Sequence, residues 1–291
     1  MAEFTTDDGV RLHYTDQGEG PPVVLIAGFR AAATSWLFQT GYLLERGFRV
    51  IAFDRRGHGS SESADHGARM ARHGKDLAEL LAVTGLHRDP GGERGLPSEP
   101  GARHCAETRK GEGVVLIGGS MGGSTIWSYL DLFGAEGLRA VITVDQTPKM
   151  SNEDEWAHGY YGYDAANLGT FFAAGPPATG RGTPLEQRGA RWDRMLQAMR
   201  LQPEPLPMSA AELALLRDHA VQDWRDVIAR VKVPMLLVAG RDSELWPAEH
   251  APAAAALNPL AGHVILDDCG HAANIEQPEA FNAAVVNFLR P

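Results

Sequence analysis

Cysteine is scarce in this 291-residue sequence: only Cys105 and Cys269 occur. Two thiols close at most one bridge, so no disulfide framework underlies the fold, and both are read as free thiols in a reducing compartment. Long apolar runs are missing too; none approaches the ~20 residues needed to cross a bilayer, which argues against a membrane partner. The start, Met1-Ala2-Glu3-Phe4-Thr5, has neither a basic n-region nor an apolar h-region, so a cytoplasmic location is expected. Positive charge is in deficit, with 27 basic against 37 acidic side chains and a formal net charge of −10. The acidic residues are scattered, which favours solubility and repels phosphate backbones; nucleic acid is not an expected partner. No G-x-x-x-x-G-K-[ST] or G-x-G-x-x-G follows a strand pattern, and His87, His104 and Cys105 make no metal spacing. Neither cofactor nor metal is therefore expected. A homo-oligomer is compatible with the sequence, which does not specify one.

What is present is apolar material in short runs. Val23–Ala27, Arg49–Phe53, Val114–Ile117, Ala140–Val144, Met235–Ala239 and His263–Leu266 are apolar on both faces, the mark of parallel strands covered by helices on each side. Phe4 to Thr15 instead alternates, with an Asp8-Gly9 turn, and reads as an antiparallel hairpin at a sheet edge. Between the strand runs lie amphipathic stretches such as 76–81. In the last one, Ala280, Phe281, Ala284, Val285, Phe288 and Leu289 recur at helical spacing behind Pro278. The class is α/β with a mostly parallel sheet.

Two stretches break the alternation. Residues 87–112 are crowded with Gly, Pro, Glu and Arg and read as a long flexible loop. It enters its strand from the N-terminal end, away from the carboxyl edge where such sheets bind ligands. Residues 146–225 contain no strand run but hold Trp156, Tyr160, Tyr161, Tyr163, Phe171, Phe172, Trp192, Met195 and Met199. They read as a mostly helical insertion whose aromatic group forms a lid over an apolar pocket. The organisation is thus a core over 1–145, a cap over 146–225, and a second part of the core over 226–291.

The chemistry concentrates in Val114 to Ser124. A buried strand runs into Gly118-Gly119-Ser120-Met121-Gly122 and then into an amphipathic helix carrying Ile126, Leu130 and Phe133. This is G-x-S-x-G in its strand–turn–helix context. The tight turn lifts the Ser120 hydroxyl clear of the sheet and puts the next N–H and a helix N-terminus beside it, which favours a developing oxyanion. Of eleven histidines, His271 stands out, because it sits between the last strand and the last helix. His13 falls on the hairpin, His58 in the structural-looking loop Asp54 to Gly59, and His66, His73, His87 and His104 in stretches read as surface. The acid that orients the imidazole is read as Asp242, after the strand Met235–Ala239, with Asp145, at the end of the preceding strand, as the rival. Met121 and Phe29 are the expected N–H donors of an oxyanion hole.

Taken together, Ala27-Gly28-Phe29, Asp54 to Ser61, Gly118 to Gly123, Gly240-Arg241-Asp242 and Cys269-Gly270-His271 resemble the α/β-hydrolase superfamily over nearly the whole chain. Esterases and cofactor-free haloperoxidase-like hydrolases are the most similar groups. The resemblance implies an eight-stranded, mostly parallel sheet flanked by helices, a helical cap after strand six, and the triad Ser120, Asp242 and His271. It implies a small-molecule ester substrate, of small to medium size and apolar or aromatic. Perhydrolase, lactone or carbon–carbon bond chemistry on the same triad is the alternative, and a non-catalytic ligand receptor is an alternative of another class. Many relatives carry His-Gly where this chain has Ala27-Gly28. Arg30 to Ala33 replaces the Gly-Pro-Gly-Ala common in carbon–carbon hydrolases.

Overall fold

A computed structural model describes residues 2–86, 113–184, 187–199 and 207–290. The loop expected over 87–112 lies outside the described residues. Eight strands form one sheet in the order β1-β2-β4-β3-β5-β6-β7-β8. The hairpin is β1 (Ala2–Thr5) and β2 (Arg11–Gln17), antiparallel, with β2 also antiparallel to β4 (Arg49–Phe53). All other pairings are parallel: β3 (Pro22–Ile26) lies between β4 and β5 (Val114–Gly119), followed by β6 (Leu138–Val144), β7 (Met235–Gly240) and β8 (Ala261–Leu266). The six doubly apolar runs are the six parallel strands.

Alternate residues of these strands feed two cores, as a period of two requires. Val24, Ile26, Ile51, Leu116 and Val141 pack on one face, with α2 (Met70–Val83) and α3 (Met121–Phe133). Val23, Leu25, Val115, Ile117 and Val238 pack on the other, with the C-terminal helix (Pro278–Leu289) and α1 (Leu37–Glu45). At roughly 1.5–3 kcal/mol per fully buried large aliphatic side chain, these faces supply most of the drive to fold. Pro278 occupies the first turn of the C-terminal helix, where its missing N–H costs no hydrogen bond.

The stretch after β6 differs from the helical expectation. Up to about residue 189 its described part is turns with isolated bridges; helices follow only at α4 (Ala190–Met199) and α5 (Ala210–Ala220), then α6 (Arg225–Arg230) leads back to the sheet. The aromatic group is also placed differently. Tyr160 packs against Phe171, Phe172 and Trp246, and Tyr163 against Phe171 and Phe172. Trp156, Tyr160, Tyr163 and Phe172 are buried. These rings form the segment's own core, because edge-on ring packing with full burial is worth more than lining a wet cavity.

Candidate active site

Ser120 stands between β5 and α3 with φ 50° and ψ −130°, a left-handed backbone rarely adopted by a non-glycine residue. Two glycines make the turn fit. A Cβ on Gly118 would lie 2.4 Å from the Gly122 carbonyl oxygen, and one on Gly122 would lie 2.2 Å from the Ile26 carbonyl oxygen. The elbow is pinned by Ser120 N–H donating to Val144 O (2.8 Å) and by Gly123 N–H donating to Ser120 O (2.7 Å). Met121 opens α3, so its N–H has no intrahelical acceptor. Across from it β3 is followed by the turn Ala27-Gly28-Phe29. A Cβ on Gly28 would come within 3.1 Å of Ser120 Cβ, so a side chain there would crowd Ser120.

His271 follows β8, as expected. Its Nδ1 lies 2.7 Å from a carboxylate oxygen, and that carboxylate belongs to Asp145, not Asp242. The expectation for Asp242 is corrected by sheet geometry. Asp145 directly follows β6, the strand beside β5, and is fully buried at φ 43°. Asp242 lies beyond the end of β7, half-buried, with its backbone N–H on Cys269 O (2.9 Å). Among the described residues its carboxylate receives no hydrogen bond.

Asp145 is an acceptor hub. Oδ2 takes bonds from Ser243 Oγ (2.6 Å) and His271, and Oδ1 takes one from Gly240 N–H (3.0 Å), with His250 Nε2 at 3.5 Å. Burial pushes its pKa up, but hydrogen bonds from His250 and His271 outweigh this and hold it at about 2. Desolvation pushes the His271 imidazole down; the hydrogen bond and charge of Asp145 overcome it, and the net shift is upward from 6.5. Glu244 accepts the His271 backbone N–H (2.8 Å) and is ion-paired with Arg188. Trp246 meets the His271 ring edge-on at 5.4 Å. The ring cluster thus reaches the imidazole through Trp246, and Tyr160, Tyr163, Phe171 and Phe172 do not line the cavity that holds Ser120.

Ser120, His271 and Phe29 line one cavity of about 90 Å³. Its walls are otherwise largely apolar: Trp36, Val144, Met199 and Ile275. Of the residues singled out in the insertion, only Met199 reaches it.

Sequence reasoning missed Ser243, His250 and Glu244, which carry no motif, and it read Gly240 only as part of a matching turn, not as a donor to Asp145. It also placed His73 at the surface, whereas His73 is buried on α2, beside Arg55 and His58. The arginine of Asp54-Arg55-Arg56 was the available signal, because a buried guanidinium needs acceptors from several elements. Cys269 is buried and free.

A family model described as "Alpha/beta hydrolase family" matches residues 23–284, and the chain belongs to that family. It is 26% identical over 304 residues to a non-heme haloperoxidase of Rhodococcus erythropolis, covering 99% of each chain. In structure it is similar to a bromoperoxidase from Bacillus anthracis (TM-score 0.74, 24% identity, 100% of each chain). It is also similar to an esterase from Exiguobacterium antarcticum (TM-score 0.71, 20% identity, 99% of each chain). Among the described residues no helix is long and apolar enough to cross a membrane.

Proposed function

We propose that the chain is a serine hydrolase of small carboxylic esters. Ser120 is the nucleophile, His271 the general base and Asp145 the acid that orients it, while the Phe29 and Met121 N–H groups receive the oxyanion. The observation that carries this reading is that a serine on a strained elbow and an imidazole held by a buried carboxylate open onto the same cavity.

The steps follow from the geometry. His271 Nε2 takes the Ser120 proton as Oγ bonds to the ester carbonyl carbon, and the π pair moves onto the carbonyl oxygen. The Asp145 bond keeps the proton on Nδ1, leaving Nε2 free to accept, and stabilises the imidazolium. On collapse the C–O bond to the alcohol breaks, and His271 returns its proton to the leaving oxygen. Water then repeats the sequence and frees the acid. One oxyanion donor is worth about 10²–10³ in kcat in comparable sites. A small cleft with largely apolar walls favours a small, apolar acyl group.

The test is turnover of p-nitrophenyl acetate by Ser120→Ala. A loss of roughly 10⁴-fold or more in kcat is expected, and turnover close to wild type refutes the reading. The full-length similarity to a protein named a haloperoxidase supports a second acceptor. Acetate would acylate Ser120 with loss of water, and hydrogen peroxide would take the acetyl group as peracetic acid, which oxidises bromide. Bromination of a dye with acetate, peroxide and bromide, abolished in Ser120→Ala, is its readout.

A further inference from the structure

The Arg55 guanidinium is completely buried, yet among the described residues it bonds to no carboxylate. Nε donates to Ala27 O (2.8 Å), and Nη2 to Gly28 O (2.7 Å) and His58 Nε2 (3.1 Å). Nη1 donates to His73 Nδ1 (3.2 Å) and Met121 Sδ (3.5 Å). A guanidinium has five N–H donors, so all are used, every one on a neutral acceptor. His58 Nδ1 lies 2.8 Å from Arg56 O, which fixes the Nδ1–H tautomer and leaves Nε2 as an acceptor. Desolvation first, and Arg55 second, drive the His58 and His73 imidazoles down, so both are neutral. The carboxylate nearest in charge terms, Asp76, is already bonded to both Arg56 and Arg72. A buried charge with no carboxylate bonded to it is costly, which marks this one as unusual.

Its two backbone contacts say what the charge does. Gly28 O and Phe29 N–H belong to one peptide unit, and in a trans peptide they point in opposite directions. Tying Gly28 O to Arg55 therefore aims the Phe29 N–H away from Arg55. Gly28 lies against Ser120, and Phe29 lines the cavity that Ser120 and His271 share. A cation on the carbonyl end of an amide also polarises its N–H, making it a stronger donor. The same guanidinium reaches Met121, whose N–H is the other expected donor.

We propose that Arg55 is the positioning residue of the oxyanion hole: it fixes and polarises the Gly28–Phe29 peptide and sets a positive charge behind the developing oxyanion. The proposal rests on the acyl-transfer reading above. Charge fixed before reaction acts on the transition state more than on the neutral substrate, so kcat should carry the effect and KM should not.

The experiment compares Arg55→Met and Arg55→Lys with wild type. It measures kcat and KM for p-nitrophenyl acetate and the inhibition constant of phenylboronic acid, whose serine adduct is tetrahedral and anionic. Arg55→Met is expected to lose roughly 100-fold in kcat, with KM within about threefold and boronate affinity weakened in parallel. Arg55→Lys keeps the charge but loses the fork and is expected to fall roughly tenfold. If Arg55→Met does not fold, Arg55→Lys decides alone. Wild-type kcat and boronate affinity in a folded variant overturn the proposal, as does a kcat loss with unchanged boronate affinity, the mark of a merely structural role. Ser120→Ala separates the two levels: turnover surviving it overturns the acyl-transfer reading, whereas Ser120-dependent turnover indifferent to Arg55 overturns only this inference.

Discussion

Replacing Asp145 by Asn changes one atom of the carboxylate and forces a choice on everything around it. Oδ2 accepts from His271 Nδ1 (2.7 Å) and Ser243 Oγ (2.6 Å), while Oδ1 accepts from Gly240 N–H (3.0 Å). An amide supplies one acceptor oxygen and one NH₂ donor. If the NH₂ takes the Oδ1 position, it meets the Gly240 N–H, a backbone donor that cannot turn away. If it takes the Oδ2 position, the Ser243 hydroxyl can rotate and the imidazole can change tautomer. The second arrangement therefore wins. The His271 proton then sits on Nε2, the atom that accepts the Ser120 proton in the proposed mechanism. A wrong tautomer of this kind costs about 10⁴ in kcat, roughly 5.5 kcal/mol of barrier. The assay is kcat for p-nitrophenyl acetate, with Asp242→Asn in parallel, expected within about threefold of wild type because its carboxylate meets no imidazole. The reasoning is refuted if Asp145→Asn keeps more than a tenth of the activity, or if Asp242→Asn loses the larger share.

Further expectations follow from the same geometry. Because Asp145 raises the His271 pKa above 6.5, and His271 must be neutral to act as base, kcat/KM should rise with pH through a midpoint above 6.5. In Asp145→Asn the hydrogen bond and charge of Asp145 are lost, and burial is opposed only by the charges of Glu244 and Glu276, so the midpoint of the residual rate should move down; a profile unmoved in the variant contradicts the assignment. Asp145 is held at about 2 against an ordinary 3.8, so its ionised form stabilises the fold above pH 3.8 and that stability is lost as pH falls through 2. Urea titrations should show wild type losing roughly 2 kcal/mol relative to Asp145→Asn across this window. Gly122→Ala would drive a methyl to 2.2 Å from the Ile26 carbonyl oxygen, and expression trials should find it unfolded or destabilised by roughly 3 kcal/mol or more. Tyr160→Ala removes a buried ring that touches Phe171, Phe172 and Trp246, and thermal unfolding should report a loss of about 3 kcal/mol with the ester chain-length profile little changed. A marked broadening of acyl-chain preference would show instead that the ring lines the pocket.

The sequence by itself determined the parallel strands, the edge hairpin, the elbow at Ser120 and the position of His271. Each is written in contiguous residues: doubly apolar runs make covered strands, and a G-x-S-x-G between strand and helix makes one turn. Local sequence could not choose between Asp145 and Asp242. Both follow parallel strands, and β6 and β7 are neighbours, so only the assembled sheet decides which carboxylate meets the imidazole. The lid fared likewise, because aromatic rings spaced along turns carry no period that says whether they face a cavity or one another. His73 reads as surface from its polar neighbours, yet the packing of α2 against α3 buries it beside Arg55. Hydrogen bonds to Asp145 from residues 95 to 126 positions away, and those from Arg55 across 28 positions to Ala27 O and 66 to Met121 Sδ, exist only once the sheet has brought its carboxyl ends together. Tertiary structure therefore decided which groups surround Ser120 and His271, since charge and hydrogen bonding act through space while pattern acts along the chain.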